Sequence, residues 1–226
     1  MADVPELSYS LLAPGWHRFS VHRVQVDLSF DQYLIEGAAQ GGGGEALLVH
    51  TGDVGVAAVL ADKLPSFLGG RPLSHIFVSH FESDECGGLG VLLERYPECR
   101  VMTSGVTARQ LTGFKITNNA TGLKPGETFD VGTARFQALS YPSEMHLWDG
   151  LALWWPQRGV IFSGDLFVRR GEAESAPVES TWRAELDGIR PEQIPDPVRL
   201  ERLRKALAVL PARCLAPGHG PLIQLR

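Results

Sequence analysis

The residues best able to do chemistry sit in one short segment, Ser79-His80-Phe81-Glu82-Ser83-Asp84-Glu85-Cys86-Gly87-Gly88, directly after the apolar run Ile76 to Val78. If the chain stays extended at first, His80, Glu82 and Asp84 project to one side, because side chains alternate along a strand. Imidazole nitrogen with carboxylate oxygen suits first-row metals such as iron, zinc and manganese, whereas a set without thiolate disfavours a structural zinc site. Taken alone, the segment equally describes a solvated acidic loop with an incidental histidine, since charged loops are ordinary surface features.

Three later positions shift that balance: His146 in Met145-His146-Leu147-Trp148-Asp149, Asp165 in Phe162-Ser163-Gly164-Asp165-Leu166-Phe167, and His219 in Pro217-Gly218-His219-Gly220. Each falls near the end of an expected strand or in the loop beside one, where an α/β scaffold gathers functional residues. Singly, each also has a plain explanation: a surface histidine, a turn aspartate, a histidine exposed in a glycine-rich turn.

The elements that must carry these residues are strands alternating with helices. Ala46 to His50 and His75 to Ser79 read as strands, with a helix from Val54 to Phe67 whose apolar residues recur every three or four positions. Gly88 to Tyr96 predicts a helix, Arg100 to Thr103 a strand, Gly105 to Leu111 a short helix, and Thr128 to Ala138 a hairpin around Gly132. Leu151 to Trp155 and Val160 to Ser163 form a second hairpin across Pro156-Gln157-Arg158-Gly159, with proline early and glycine late as turns prefer. Gly171 to Ser180 reads as a surface loop, and Gly41 to Gly44 as a flexible turn. Pro197 to Leu210 is an amphipathic helix with Leu200, Leu203, Leu207 and Leu210 on one face, and Arg213 to Ala216 is a last strand leading to His219.

At 226 residues and 44% hydrophobic side chains, the chain can bury one substantial core, so residues 1–226 are expected to form a single α/β domain. A net charge of -5 gives no electrostatic reason to expect nucleic acid or an anionic membrane as partner. Met1 to Ser10 lacks a basic start and apolar run, and no stretch reaches the length of a membrane span, so a cytoplasmic location is the expectation. Cys86, Cys99 and Cys214 are odd in number and widely spaced, which suits a reducing compartment better than a disulfide framework.

The order of the motifs resembles the metallo-β-lactamase superfamily, whose first motif is His-x-His-x-Asp-His, followed by a histidine, a bridging aspartate and a final histidine. Glutamate at the second position, here Glu82, is what the flavodiiron branch carries. His146-Leu147-Trp148-Asp149 is similar to that branch's His-Trp-Pro-Asp, and Phe162-Ser163-Gly164-Asp165-Leu166-Phe167 to its Phe-Ser-Asn-Asp-x-Phe. The resemblance runs from about Phe30 to His219. It implies an αββα sandwich holding one iron by His80, Glu82 and His146 and a second by Asp84 and His219, with Asp165 bridging. Zinc or manganese are the alternative metals.

Two positions depart from the pattern. Glu85 stands where the family has a histidine, and it either binds the second iron, bonds to a water or points away. His50 stands where the superfamily usually has an aspartate supporting the site from behind. If all are ionised, Glu82, Asp84, Glu85 and Asp165 supply the four negative charges that balance two divalent ions, and oxygen-rich sites with open positions suit O2 chemistry at iron.

The activity implied is binding, and reduction, of O2 or NO. Flavodiiron proteins follow this domain with a flavodoxin-like one, for which a chain ending at Arg226 has no room, so no FMN is expected and an external electron donor would be needed. The alternatives are an O2-sensing module coupled to a signalling partner and a zinc-dependent hydrolase. Family members commonly assemble head to tail, which implies a homodimer. Phe81, Trp148 and Phe167 either wall an apolar gas pocket or pack in the core, and Cys86 reads as a small buried filler rather than a reactive thiol.

Overall fold

A computed structural model describes residues 5–37, 44–141, 150–173 and 176–226 of the chain. The first half contains β1 (Ser8–Ala13), β2 (Trp16–Arg23), β3 (Leu28–Glu36), β4 (Ala46–Val49), α1 (Val54–Leu68), β5 (Leu73–Phe77), α2 (Ser83–Cys86), α3 (Leu89–Arg95), β6 (Arg100–Ser104), α4 (Gly105–Gly113) and β7 (Ala120–Leu123). The second half contains β8 (Thr128–Val131), β9 (Ala134–Tyr141), β10 (Gly150–Trp155), β11 (Val160–Gly164), β12 (Val178–Ser180), α5 (Trp182–Gly188), α6 (Pro197–Ala208), β13 (Cys214–Pro217) and β14 (Ile223–Leu225).

Two seven-stranded sheets face each other, one ordered β1-β2-β3-β4-β5-β6-β7 and the other β12-β14-β13-β11-β10-β9-β8. The two-residue period of the strands decides what each face buries. In β3, Tyr33 and Ile35 enter the layer between the sheets, where they meet Trp16, Phe77, Phe136, Leu153 and Phe162. Leu34, one residue out of phase, turns the other way with Phe19, Leu48 and Ile76 against Leu60, Leu64 and Leu92 of α1 and α3. The second sheet repeats the device: Leu151, Leu153 and Trp155 point inward, while Ala152 and Trp154 meet α6 through Leu200, Leu203 and Leu207. Helices thus cover both outer faces, and the expected αββα sandwich is the fold.

Local signals fix the helices. Asp53 caps α1 by accepting from the Val56 amide at 2.9 Å, and Gly69 ends it in the left-handed conformation. Pro197 opens α6 behind Asp196, whose carboxylate accepts from the Val198 and Arg199 amides.

Two expectations need correction. The segment after His80 does not stay extended, because Ser83–Cys86 winds into the helical turn α2, with the Cys86 amide donating to the Glu82 carbonyl at 2.9 Å. Asp84 and Glu85 therefore reach the site from a turn, not from one side of a strand. Nor is Gly171 to Ser180 all loop: its last three residues form β12, which pairs with β14 in parallel. β12, at the rim of its sheet, is too short to carry a readable alternation. Gly41 to Gly43 fall outside the described residues. Among the described residues no helix is long and apolar enough to cross a membrane.

Candidate metal centre

The candidate residues converge where the carboxyl ends of β4, β5, β11 and β13 meet. Crossing backbone hydrogen bonds lock this end: the Gly218 amide donates to the Gly164 carbonyl at 2.8 Å, Asp31 to Gly218 at 2.8 Å, and Leu151 to Ser79 at 2.9 Å. Gly164 is required here, since its φ is +54° and a Cβ on it would lie 3.0 Å from Ser79 Oγ. Gly220 is equally constrained, with φ +93° and a Cβ position 2.2 Å from the Arg169 carbonyl oxygen.

Buried His80 is oriented from behind by Ser79, whose Oγ lies 2.9 Å from Nδ1. Its Nε2 then faces three carboxylates: Glu82 Oε2 at 3.2 Å, Glu85 Oε2 at 3.6 Å and Asp165 Oδ2 at 3.6 Å. His219 mirrors it from the far end of the chain. Nδ1 lies 2.9 Å from the Ser29 carbonyl oxygen, which can only accept, so Nδ1 carries a proton and Nε2 is the nitrogen that would release its proton to offer a lone pair to a metal. That Nε2 faces Asp165 Oδ1 at 3.3 Å, Asp84 Oδ2 at 3.4 Å and Glu85 Oε1 at 3.9 Å. Fixing one ring nitrogen on an oxygen so that the other points inward is the way metal-ligating histidines are held.

Two groups of ligand atoms each lie within 4.8 Å of one another: His80, Glu82 and Glu85, and Asp84, Glu85 and His219. Of the seven candidates, six come together here; His146 lies outside the described residues, as does Trp148. Glu85, whose role the sequence left open, is 1% exposed and turned into the cluster.

The electrostatics describe a site short of positive charge. Burial, then the neighbouring Asp165 and Asp84 charges, push the Glu85 carboxyl well above its usual range. Burial disfavours the His219 cation, but the interactions with Asp165 and Asp84 outweigh it and raise the imidazole to about 9. Glu85 Oε2 is a buried oxygen with no hydrogen-bond partner among the described residues. A cation would answer all three, and the imidazole and carboxylate donors suit iron, zinc or manganese. The thiol beside them does not join: Cys86 Sγ lies 3.1 Å from the Glu82 carbonyl oxygen, and burial pushes it up to about 12.

His50 is buried behind the cluster in a left-handed conformation, φ 63°, a strained state for a residue with a Cβ. Burial and the nearby His80 hold it down to about 3, so its imidazole is neutral, and its Nε2 has no hydrogen-bond partner among the described residues. It does not reproduce the hydrogen bonding of an aspartate.

Phe81 and Phe167 take the packing alternative, the one the sequence favoured for Phe167. Phe81 stacks on Phe114 at 5.2 Å, and Phe167 packs with Trp182 at 5.9 Å on the outer side of the second sheet. Among the described residues a ring against the cluster is Phe30, edge-on to His219 at 4.8 Å. It lines, with Asp84, Arg23 and Val56, a cavity of about 220 Å³. Ser29, Phe30 and Ser79 were not singled out in the sequence; only the adjacency of Ser79 to His80 could have signalled one of them.

A family model described as "ODP family beta lactamase" matches residues 28–220. A hydroxyacylglutathione hydrolase of Synechococcus sp. is 30% identical over 198 residues, covering 79% of this chain and 71% of that protein. Among solved structures, a mutant flavo di-iron protein from Thermotoga maritima superimposes with a TM-score of 0.73 at 18% identity, over 98% of this chain and 58% of that one. Rubredoxin oxygen:oxidoreductase from Desulfovibrio gigas does so with a TM-score of 0.68 at 16% identity, over 96% and 57%. The chain thus spans less than two thirds of these two structural neighbours, and at such identities they speak for the fold.

Proposed function

The chain belongs to the ODP family of β-lactamase-fold domains, and from that premise we propose that it is a di-iron protein that binds O2 or NO. Two groups of potential ligands sharing one carboxylate support this reading, since the sharing would put two ions side by side. His80 and Glu82 would hold one ion, Asp84 and His219 the other, with Asp165 facing both and His146 added to the first by resemblance. The ions would supply electrons and open positions for a small diatomic ligand. The chain's own residues orient the two imidazoles before any metal arrives, through Ser79 on His80 and Ser29 on His219. The cavity beside Phe30 is smaller than the usual range for drug-sized ligands, which favours a small molecule.

Iron and zinc measured per chain, then anaerobic ferrous loading followed by O2 or NO, test the proposal. Two irons per chain and stoichiometric gas uptake with a change in visible absorption are expected. Full iron loading without uptake refutes it. Sustained consumption with an added flavodoxin or rubredoxin as electron donor marks a reductase, and uptake without turnover marks a sensing module acting through a partner.

A second reading rests on the 30% identity to a hydroxyacylglutathione hydrolase. On that reading the same residues would hold zinc, which would supply an activated water for thioester hydrolysis. Thioester turnover by zinc-loaded protein well above buffer, lost in a His80→Ala variant, would select it.

A further inference from the structure

Resting on the dinuclear reading above, we infer that Glu85 is a second bridging carboxylate, so that the two ions are spanned by Glu85 and Asp165 together. The two side chains are placed alike. Asp165 directs Oδ2 toward His80 Nε2 at 3.6 Å and Oδ1 toward His219 Nε2 at 3.3 Å. Glu85 directs Oε2 toward the same His80 nitrogen at 3.6 Å and Oε1 toward the same His219 nitrogen at 3.9 Å. A carboxylate serving a single ion has no reason to divide its oxygens between histidines on opposite sides. Glu85 does so, and it alone belongs to both ligand groups among the described residues.

Its backbone explains why the side chain holds that orientation. The Thr51 amide and hydroxyl both donate to the Glu85 carbonyl, at 2.9 and 3.1 Å, while α2 is closed by the Cys86 amide on Glu82. The residue is therefore clamped to the end of β4, with its buried side chain directed into the cluster.

Among the described residues each ion would then have one terminal carboxylate, Glu82 or Asp84, one imidazole, His80 or His219, and one oxygen from each bridge, with His146 added to the first ion by the resemblance. Four carboxylates neutralise two divalent ions. A histidine at position 85 presents one nitrogen to one ion and cannot make this arrangement.

The discriminating property of a bridge is that its loss injures both sites, whereas loss of a terminal ligand injures one. Ferrous iron is titrated anaerobically into the full chain and into Glu85→Ala, Glu85→Gln and Asp84→Ala variants, with circular dichroism reporting that each is folded. A crystal structure of the iron-loaded wild type completes the experiment. Expected are two ions in the wild type, both weakened at least about tenfold in Glu85→Ala and only one weakened in Asp84→Ala. Should Glu85→Ala not fold, Glu85→Gln gives the same reading, since an amide offers a single oxygen acceptor.

Two ions bound normally with Glu85 on one of them, or Glu85→Ala losing a single ion, overturns the bridge and leaves the dinuclear reading standing. Fewer than two ions in saturated wild type overturns both.

Discussion

Glu85→Gln should raise the stability of the metal-free protein while impairing its metal binding. Glu85 is 1% exposed, and its oxygens lie within 4.8 Å of ligand atoms of Glu82 and Asp84. At that separation two ionised carboxylates repel by about 3.5 kcal/mol at an effective dielectric of about 20. Uptake of a proton is cheaper, and it caps the penalty. Keeping a carboxyl of ordinary pKa 4.5 neutral at pH 7 spans about 2.5 pH units, or about 3.4 kcal/mol at ~1.36 kcal/mol each.

Because burial and the Asp165 and Asp84 charges hold Glu85 well above 4.5, a penalty of up to that cap applies at pH 7. The folded state binds this proton more tightly than the unfolded state, so the associated stability is complete below pH 4.5 and lost as pH rises above it. Glutamine never ionises and escapes the loss. The metal-free variant should therefore gain up to about 3 kcal/mol at pH 7, about 6 to 12 °C in Tm for a domain of this size, and nothing near pH 4.5.

Thermal melts of chelator-treated wild type and variant at the two pH values measure this. No gain at pH 7, or an equal gain at both, would refute the picture of a carboxylate cluster awaiting cations. Excess divalent metal at pH 7 should reverse the order by stabilising the wild type more.

Ser79→Ala removes the group that orients His80 through Nδ1 and should weaken metal binding by about 10-fold to 100-fold with little change in fold, as read by metal titration and circular dichroism. Gly164→Ala forces a Cβ to 3.0 Å from Ser79 Oγ at φ +54° and should cost about 1 to 3 kcal/mol in denaturant melts while lowering metal content. Leu153→Ala, in the layer between the sheets, should cost about 2 to 5 kcal/mol and leave metal stoichiometry at permissive temperature unchanged. Asp31 is fully buried, and burial raises its carboxyl to about 7, offset in part by Ser20 and Arg18. About 4 kcal/mol of stability present below pH 3.8 should drain away as pH rises through 7, and Asp31→Asn should flatten that slope in pH-dependent melts.

Much of the scaffold was legible from local pattern. The apolar period of Val54 to Phe67, the turn residues at 156–159 and the leucine stripe of α6 each state their element within about a dozen residues, and all three are found. The β1-β2-β3 meander at the N-terminus was not, because buried polar residues such as Arg18, Ser20, Asp31 and Gln32 interrupt its alternation. Arg18, Ser20 and Asp31 share the face of Tyr33 and make sense only where the facing sheet and the chain around His219 close over them.

The site divides in the same way. Sequence by itself picked out the candidate donors: the run from His80 to Glu85, Asp165 after β11, His219 after β13. Tertiary structure alone decided how they point. Whether Glu85 faces the cluster depends on the turn α2 and on Thr51 holding its carbonyl, and which nitrogen of His219 faces inward depends on Ser29, 190 residues away. Periodicity reports what a residue does to its own strand or helix. The direction of a buried carboxylate or the tautomer of an imidazole is set by hydrogen bonds to distant backbone, and these exist only after the two sheets have packed.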